Sequence, residues 1–271
     1  MVPAFTTEGG AMERMELEQL TTSELEEVIA SGVTTVVLPI GSVAQHGSHL
    51  PLGTDAMLGD ELGRRVADRL GAVLAPTVRI GCADQHMRFA GTLTLTRDTL
   101  RAVAVEIGLS LAKHGFRLIV LLPTQGGNIA ATEAAVEDLN DTLEGAVAYS
   151  PVTDVERDVL EYAIGNASRE NGVEPAQSGA HAGEWETSVM LALRPELVRR
   201  ERAEAGYTGD MGLAVKQLHE EGVAIEQLSS NGVMGDPTLA DVDRGRGYVD
   251  RLAGVIASAV SVLQATDAVP A

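Results

Sequence analysis

The chain has 271 residues, 45% of them hydrophobic, which is enough to bury a full core within one domain. Its 39 acidic and 20 basic side chains give a formal net charge of −19, and this charge argues against nucleic acid and anionic membrane surfaces as partners. The single cysteine, Cys82, excludes an intrachain disulfide and a thiolate metal cluster.

The N-terminal segment shows no targeting or anchoring pattern. It has no basic region followed by an apolar stretch, and no run in the chain approaches the roughly 18 apolar residues of a spanning helix. We find no internal repeat or linker. We therefore expect a cytoplasmic protein with one domain over residues 1–271, in which about residues 1–12 are frayed.

Apolar runs alternate with segments of helical spacing, which is typical of βαβ units around a mostly parallel sheet. The first helix is predicted from Thr22, with hydroxyl and acidic residues in its first turn, and Gly32 ends it. Further helices are predicted at 57–70, 97–114, 129–143, 155–170, from about 183, and at 239–263. Strands are predicted at 34–39, 72–75, 116–122 and 146–149. In such folds ligands bind beyond the carboxyl ends of the strands.

The loop at 41–55 follows the first predicted strand and carries His46, His49 and Asp55. Imidazole and carboxylate donors placed at a strand end suit zinc or manganese. The alternative is that both imidazoles only form hydrogen bonds with loop carbonyl groups. The spacing alone does not decide between these interpretations.

The segment at 178–188 precedes an apolar helical run. Its glycines allow close approach of the backbone to a ligand, and His181 and Glu184 can act as proton carrier and ligand. The alternative for Glu184 and Glu186 is a favourable interaction with the helix dipole, because both fall in the first turn.

The loop at 123–128 joins the central strand to a helix and contains two adjacent glycines. Asn128 is predicted to cap the helix N-terminus. The loop is equally compatible with a tight turn that binds no ligand.

Taken together, these loops resemble the creatininase (creatinine amidohydrolase) family. The resemblance extends from about residue 38 to 249 in the family's order, with supporting matches around Gly81, His86 and residues 91–93 and at 232–238. The main motifs are Gly41-Ser42, Gln45-His46-Gly47, His49-Leu50-Pro51-Leu52, Thr54-Asp55, Gly126-Gly127-Asn128, and His181-Ala182-Gly183-Glu184 with Glu186-Thr187-Ser188. The resemblance implies a three-layer α/β fold with helices on both faces of the sheet, a homo-oligomer, and a two-metal site that hydrolyses C–N bonds.

Two positions depart from the family's pattern. The family carries a metal-binding Glu two residues before the first His, where this chain has Ala44, and a His in the central loop, where it has Gln125. The matching residues His46, Asp55 and Glu184 still suit a single site. We therefore expect fewer than two zinc or manganese ions per chain, or no metal.

The resemblance also suggests roles for individual residues. Metal binding is predicted for His46, Asp55 and Glu184, catalysis for His181, Glu184 and His49, and substrate binding for Gln125, Asn128, Trp185 and His86. Gln125 in particular is expected to orient the substrate, since an amide binds transition metals poorly.

Three functions remain open at this point. The first is an amidohydrolase that acts on an amide or lactam bond of a small molecule or short peptide. The second is a metal-free enzyme that catalyses proton transfer, cyclisation or amide exchange in a specialised biosynthetic pathway. The third is a non-catalytic partner subunit. Metal content separates the first from the second, and turnover separates both from the third.

Overall fold

The computed structural model describes residues 15–152, 161–219, 221–265 and residue 269. The frayed segment predicted at 1–12 and the first part of the helix predicted at 155–170 lie outside these residues. No helix among the described residues has the length and apolar character needed to cross a membrane. The single domain predicted over residues 1–271 stays a prediction.

Four parallel strands form the central sheet, in the order β2-β1-β3-β4. Their bounds are Thr35–Ile40 for β1, Val73–Leu74 for β2, Leu118–Pro123 for β3 and Val147–Tyr149 for β4. All six residues of β1 and of β3 are buried, which explains why both strands are continuous apolar runs. Leu38 pairs with Leu121, so β1 and β3 end together at one edge of the sheet.

Ten α-helices are described. Their bounds are Thr22–Ala30 (α1), Thr54–Leu70 (α2), Arg97–Lys113 (α3), Ile129–Thr142 (α4), Asn166–Glu170 (α5), Pro175–Ser178 (α6), Glu184–Leu193 (α7), Met211–His219 (α8), Ile225–Leu228 (α9) and Val242–Gln264 (α10). A π-helical turn, Glu161–Gly165, precedes α5, so the described part of the helix predicted at 155–170 is α-helical only over Asn166–Glu170.

Local sequence explains where two of these helices start. Thr21 and Glu24 form a capping box at α1, and Asp241 accepts hydrogen bonds from two backbone N–H groups at α10, so α10 begins three residues after its predicted start. Helix α2 begins at Thr54, three residues before its predicted start. Asp55 therefore lies in the first turn of a helix.

Two hydrophobic cores cover the two faces of the sheet, which gives three layers. On one face Leu58 and Leu62 of α2 pack with Leu252 of α10. On the other face Leu100 of α3 packs with Leu139 of α4. This arrangement confirms the predicted three-layer α/β fold, and it leaves the carboxyl edge of β1 and β3 for polar loops.

Candidate metal centre

His46 and Asp55 face each other beyond the carboxyl end of β1. Both side chains are buried, and His46 Nε2 lies 3.2 Å from Asp55 Oδ1. The other ring nitrogen, Nδ1, lies 3.1 Å from the backbone carbonyl oxygen of Ala44. Because a carbonyl can only accept, Nδ1 carries a hydrogen, and Nε2 is the nitrogen that faces the carboxylate. A proton or a metal cation between Nε2 and Asp55 makes this contact favourable.

The electrostatics of His46 agree with this geometry. Burial opposes the charged imidazole, but the negative charge of Asp55, its hydrogen bond and the charge of Glu186 raise the pKa of His46 to about 9. The second oxygen of Asp55, Oδ2, is buried and has no hydrogen-bond partner among the described residues. His46 and Asp55 together thus favour a proton or a metal cation at one buried position.

The segment before α7 brings a second imidazole to the same point. The rings of His46 and His181 have their centroids 4.3 Å apart, and the backbone of His181 pairs with Met234. Ala182 has a φ of 51°, in the left-handed region that an alanine rarely adopts. This conformation directs the N–H of Ala182 to the carboxylate of Glu186.

His46, His181 and Glu186 form a compact donor cluster. One ring nitrogen of each histidine and one oxygen of Glu186 lie within 4.8 Å of one another. Burial, assisted by the charge of Asp55 and opposed by that of His46, raises the pKa of Glu186 to about 7. Burial and the charge of His46 lower the pKa of His181 well below its usual value. At neutral pH the ring of His181 is thus neutral, as a metal ligand must be.

Glu184 lies in a different network, two residues from Glu186. Its buried carboxylate accepts hydrogen bonds from Arg244 Nε at 2.8 Å, from the Ser188 hydroxyl at 2.8 Å and from the Tyr248 hydroxyl at 3.1 Å. These contacts join α7 to α10. The carboxylate in the histidine cluster is that of Glu186, and the carboxylate predicted as ligand and catalyst, that of Glu184, is bound to an arginine.

His49 and Trp185 lie beside the cluster rather than in it. His49 Nε2 is 3.0 Å from the hydroxyl of Thr187, and burial together with the charge of His46 lowers the pKa of His49 to about 4. Trp185 is half-buried and packs against the core that contains Tyr248. The catalytic role of His49 and the substrate-binding role of Trp185 stay predictions.

The two residues predicted to bind substrate from the central loop have different surroundings. Gln125 is half-buried, and its Oε1 lies 3.4 Å from the hydroxyl of Ser42. Asn128 stands at the predicted N-cap position of α4, but its side chain makes no capping hydrogen bond there. Its side chain accepts from the N–H of Cys82 at 2.8 Å and donates to the carbonyls of Ile40 and Gly41 at 3.1 and 3.0 Å. Because its donors and acceptor are engaged, Asn128 holds two loops together beside β1.

His86 reaches the cluster through Gln45, a residue to which the sequence analysis gave no role. The ring centroids of His86 and His181 are 4.5 Å apart, and Gln45 Nε2 lies 2.9 Å from His86 Nδ1 and 3.0 Å from His181 Nε2. Burial and the charge of His46 lower the pKa of His86 to about 3. The place of Gln45 in the motif Gln45-His46-Gly47 was the sequence signal for this residue.

The donor types at the cluster fit zinc or manganese. Two imidazole nitrogens and the carboxylate of Glu186 would supply nitrogen and oxygen ligands, and the buried Asp55 Oδ2, which has no hydrogen-bond partner among the described residues, would add a further oxygen. The backbone carbonyl of Ala44 orients His46, in the way that outer hydrogen bonds usually orient metal-binding histidines.

Comparisons with known proteins agree with the fold. The family profile described as creatinine amidohydrolase matches residues 18–260. The mycofactocin precursor peptide peptidase of Mycobacterium ulcerans (strain Agy99) is 35% identical over 85% of this chain and 84% of its own. The creatinine amidohydrolase of Pseudomonas putida is 31% identical over 68% of this chain and 74% of its own.

Solved structures share the architecture at lower identity. The structure named "Creatininase Mn" superposes with a TM-score of 0.72 at 23% identity, over 94% of this chain and 100% of its own. A putative creatinine amidohydrolase from Bacteroides fragilis gives the same TM-score at 23% identity, over 94% of this chain and 99% of its own. On the match of residues 18–260 and the shared fold, the chain belongs to the creatininase family, whose members hydrolyse C–N bonds.

Proposed function

We propose that this protein is a metal-dependent amidase that cleaves a C–N bond of a short peptide, with one ion held by His46, His181, Glu186 and Asp55. The cluster of the first three residues carries the proposal. Glu186 takes the place that the sequence analysis gave to Glu184, because the carboxylate of Glu184 is already paired with Arg244.

When bound, zinc or manganese lowers the pKa of a water molecule and polarises a carbonyl group. The chain's own residues perform the remaining tasks. Ala182 and Ala44 hold Glu186 and His46 in place through backbone groups. His49 is neutral at pH 7, since its pKa is about 4, and we assign to it the acceptance of a proton near the reacting bond. To Gln125, half-buried in the loop after β3, we assign the orientation of the substrate.

Two observations favour a peptide over a compact polar substrate. The relatives that match at 35% identity over 85% of the chain are named peptide peptidases, whereas the creatinine amidohydrolase matches at 31% over 68%. Leu52 and Met87, which are 38% and 52% exposed, lie on the loops that carry His46 and His86. Exposed apolar side chains on these loops suit contact with the apolar side chains of a peptide.

The direct contact of His46 with Asp55 supports a second candidate, a metal-free enzyme that transfers protons. A His–carboxylate pair at 3.2 Å can hold and return a proton without a cation. Treatment with a chelator separates the two candidates, because only the first loses turnover and regains it with added zinc or manganese.

The test uses the full chain with a panel of blocked short peptides and with creatinine, after loading with zinc or with manganese. Release of a new amino group from a peptide is the expected result, and Glu186→Ala should abolish it. Exposed His114, at the end of α3, provides the matched control, since His114→Ala removes an imidazole far from the cluster. Absence of turnover on every peptide, with turnover on creatinine alone, overturns the peptide assignment.

We further propose a homo-oligomer, as the family resemblance implies, and a cytoplasmic location, as the sequence without a targeting pattern suggests. Light scattering that gives a mass near 28.4 kDa at every concentration would refute the oligomer.

A further inference from the structure

The side chain of Gln45 sits between two histidines with its amide orientation fixed. Its Oε1 accepts a hydrogen bond from the N–H of Gly47 at 2.9 Å, which places the NH₂ group on the opposite side. This NH₂ group lies 3.0 Å from the carbonyl oxygen of Gly232, 2.9 Å from His86 Nδ1 and 3.0 Å from His181 Nε2. Two hydrogens therefore face three potential acceptors.

A further contact decides how these hydrogens are distributed. His181 Nε2 also lies 2.8 Å from the backbone carbonyl oxygen of Gln45, the shortest distance in the group. If Nε2 carries a hydrogen, it donates to that carbonyl, and the amide donates to Gly232 and to His86, which makes three hydrogen bonds. If Nε2 is instead an acceptor, the carbonyl bond is lost and the amide still makes only two. The first arrangement is favoured, because the buried polar atoms of Gln45, His86 and His181 then form three hydrogen bonds instead of two.

The geometry points to Gln45 and His86 as positioning residues that fix the tautomer of His181, so that His181 binds the metal through Nδ1. In a neutral imidazole with its hydrogen on Nε2, the lone pair is on Nδ1. His181 then supplies an imidazole ligand beside His46 and Glu186, in a chain whose central loop has Gln125 instead of the family's histidine. This inference rests on the proposed metal binding for its consequence, but the tautomer itself does not.

His86 acts through Gln45 rather than on the metal. By accepting one amide hydrogen at Nδ1, it leaves none for His181 Nε2. His86→Leu frees that hydrogen, so the Nδ1–H form of His181 gains population and its lone pair turns away from the cluster. His86→Asn offers a carbonyl acceptor near the same place and should restore the original tautomer.

The first experiment measures the tautomer in the metal-free full chain by histidine-selective ¹⁵N NMR, with His181 assigned from His181→Ala. We expect a hydrogen-bearing Nε2 and a bare Nδ1 in the wild type and in His86→Asn, and a shift toward the opposite form in His86→Leu. A hydrogen on Nδ1 of the wild-type His181 would overturn the inference, whatever the activity of the protein.

The second experiment titrates zinc alone into the same proteins by calorimetry. His86→Leu should weaken binding roughly 10–100-fold, as loss of an outer hydrogen bond commonly does, and His86→Asn should recover most of it. His181→Ala should weaken binding further, while His114→Ala should leave it unchanged. Wild-type affinity in His181→Ala would refute the ligand role. Absence of peptide turnover with these affinities intact would count against the proposed function only.

Discussion

Glu184 and Glu186 provide a matched pair of substitutions with opposite expected outcomes. Both carboxylates are buried in the first turn of α7, and a change to Gln alters shape little at either position. Glu184 pairs with Arg244, whose side chain is 20% exposed, whereas Glu186 lies among the residues of the metal cluster. Glu184→Gln should therefore destabilise the fold, and Glu186→Gln should abolish metal binding.

The loss of stability expected for Glu184→Gln follows from the contacts of the Glu184 carboxylate. Glu184→Gln replaces charge-assisted hydrogen bonds by neutral ones, at about 1 kcal/mol each, and leaves the guanidinium of Arg244 without a counter-charge. After allowance for the exposed part of Arg244, we expect a loss of roughly 2 kcal/mol in the free energy of unfolding. For a chain of this size that lowers Tm by roughly 4–8 °C.

Glu186→Gln should behave differently because burial already opposes its charge. A carboxyl group whose pKa is raised from 4.5 to about 7 in the folded state costs stability as it ionises, and this cost grows as pH rises from about 4.5 to about 7. In metal-free buffer at pH 7 the Gln variant should therefore match or exceed the wild type in stability. Its advantage should shrink toward pH 4.5.

Urea unfolding in the presence of a chelator and zinc calorimetry on both variants measure these effects. The expected pattern is a stability loss with intact zinc binding for Glu184→Gln, and the reverse for Glu186→Gln. Loss of zinc binding only in Glu184→Gln would refute the assignment of Glu186 to the cluster and would restore Glu184 as the ligand.

Three further predictions concern other parts of the site. Asn128→Ala should lower the free energy of unfolding by about 2–3 kcal/mol in urea titrations, because the N–H of Cys82 loses a buried acceptor; an unchanged midpoint would contradict this role. Ala44→Glu combined with Gln125→His should raise zinc affinity by orders of magnitude in calorimetry, and each single change should raise it less. Equal affinity in the parent and the double variant would show that the geometry of these loops differs from that of the family. Chelation should abolish peptide turnover and added zinc or manganese should restore it, while turnover that persists after complete metal removal would favour proton transfer by His46 and its carboxylate partner.

The layers of the fold could be predicted because their signals are strong. Strands β1 and β3 are continuous apolar runs, and buried parallel strands require that composition. Helix starts were predicted less well. The start of helix α2 was predicted at residue 57 instead of Thr54, because the polar Thr54 and Asp55 in its first turn gave no apolar periodicity to mark it.

The choice between Glu184 and Glu186 could not be made from the sequence. Residues that are two positions apart in a helix are rotated by about 200° around its axis, so the side chains of Glu184 and Glu186 face opposite sides. An amphipathic helix shows which side is buried, but seven of the ten residues of α7 are buried, and the pattern does not distinguish the sides. The tertiary contact of Glu184 with Arg244, which is 60 residues away in sequence, is what favours Glu186 as the proposed ligand.

The role of Asn128 also could not be predicted from the sequence, because it depends on tertiary packing. Its type and place before α4 favour a cap, yet the space beside Gly81 lets its side chain bridge two loops: a Cβ on Gly81 would lie 2.2 Å from Asn128 Oδ1. A single sequence contains no signal for that packing.

Anomalous scattering at the zinc edge, from crystals of the full chain grown with zinc, tests the central claim most directly. We expect one peak per chain, within bonding distance of His46 Nε2, His181 Nδ1, Glu186 and Asp55. Two peaks at the carboxyl edge of the sheet, or one peak that lies against Glu184, would contradict it.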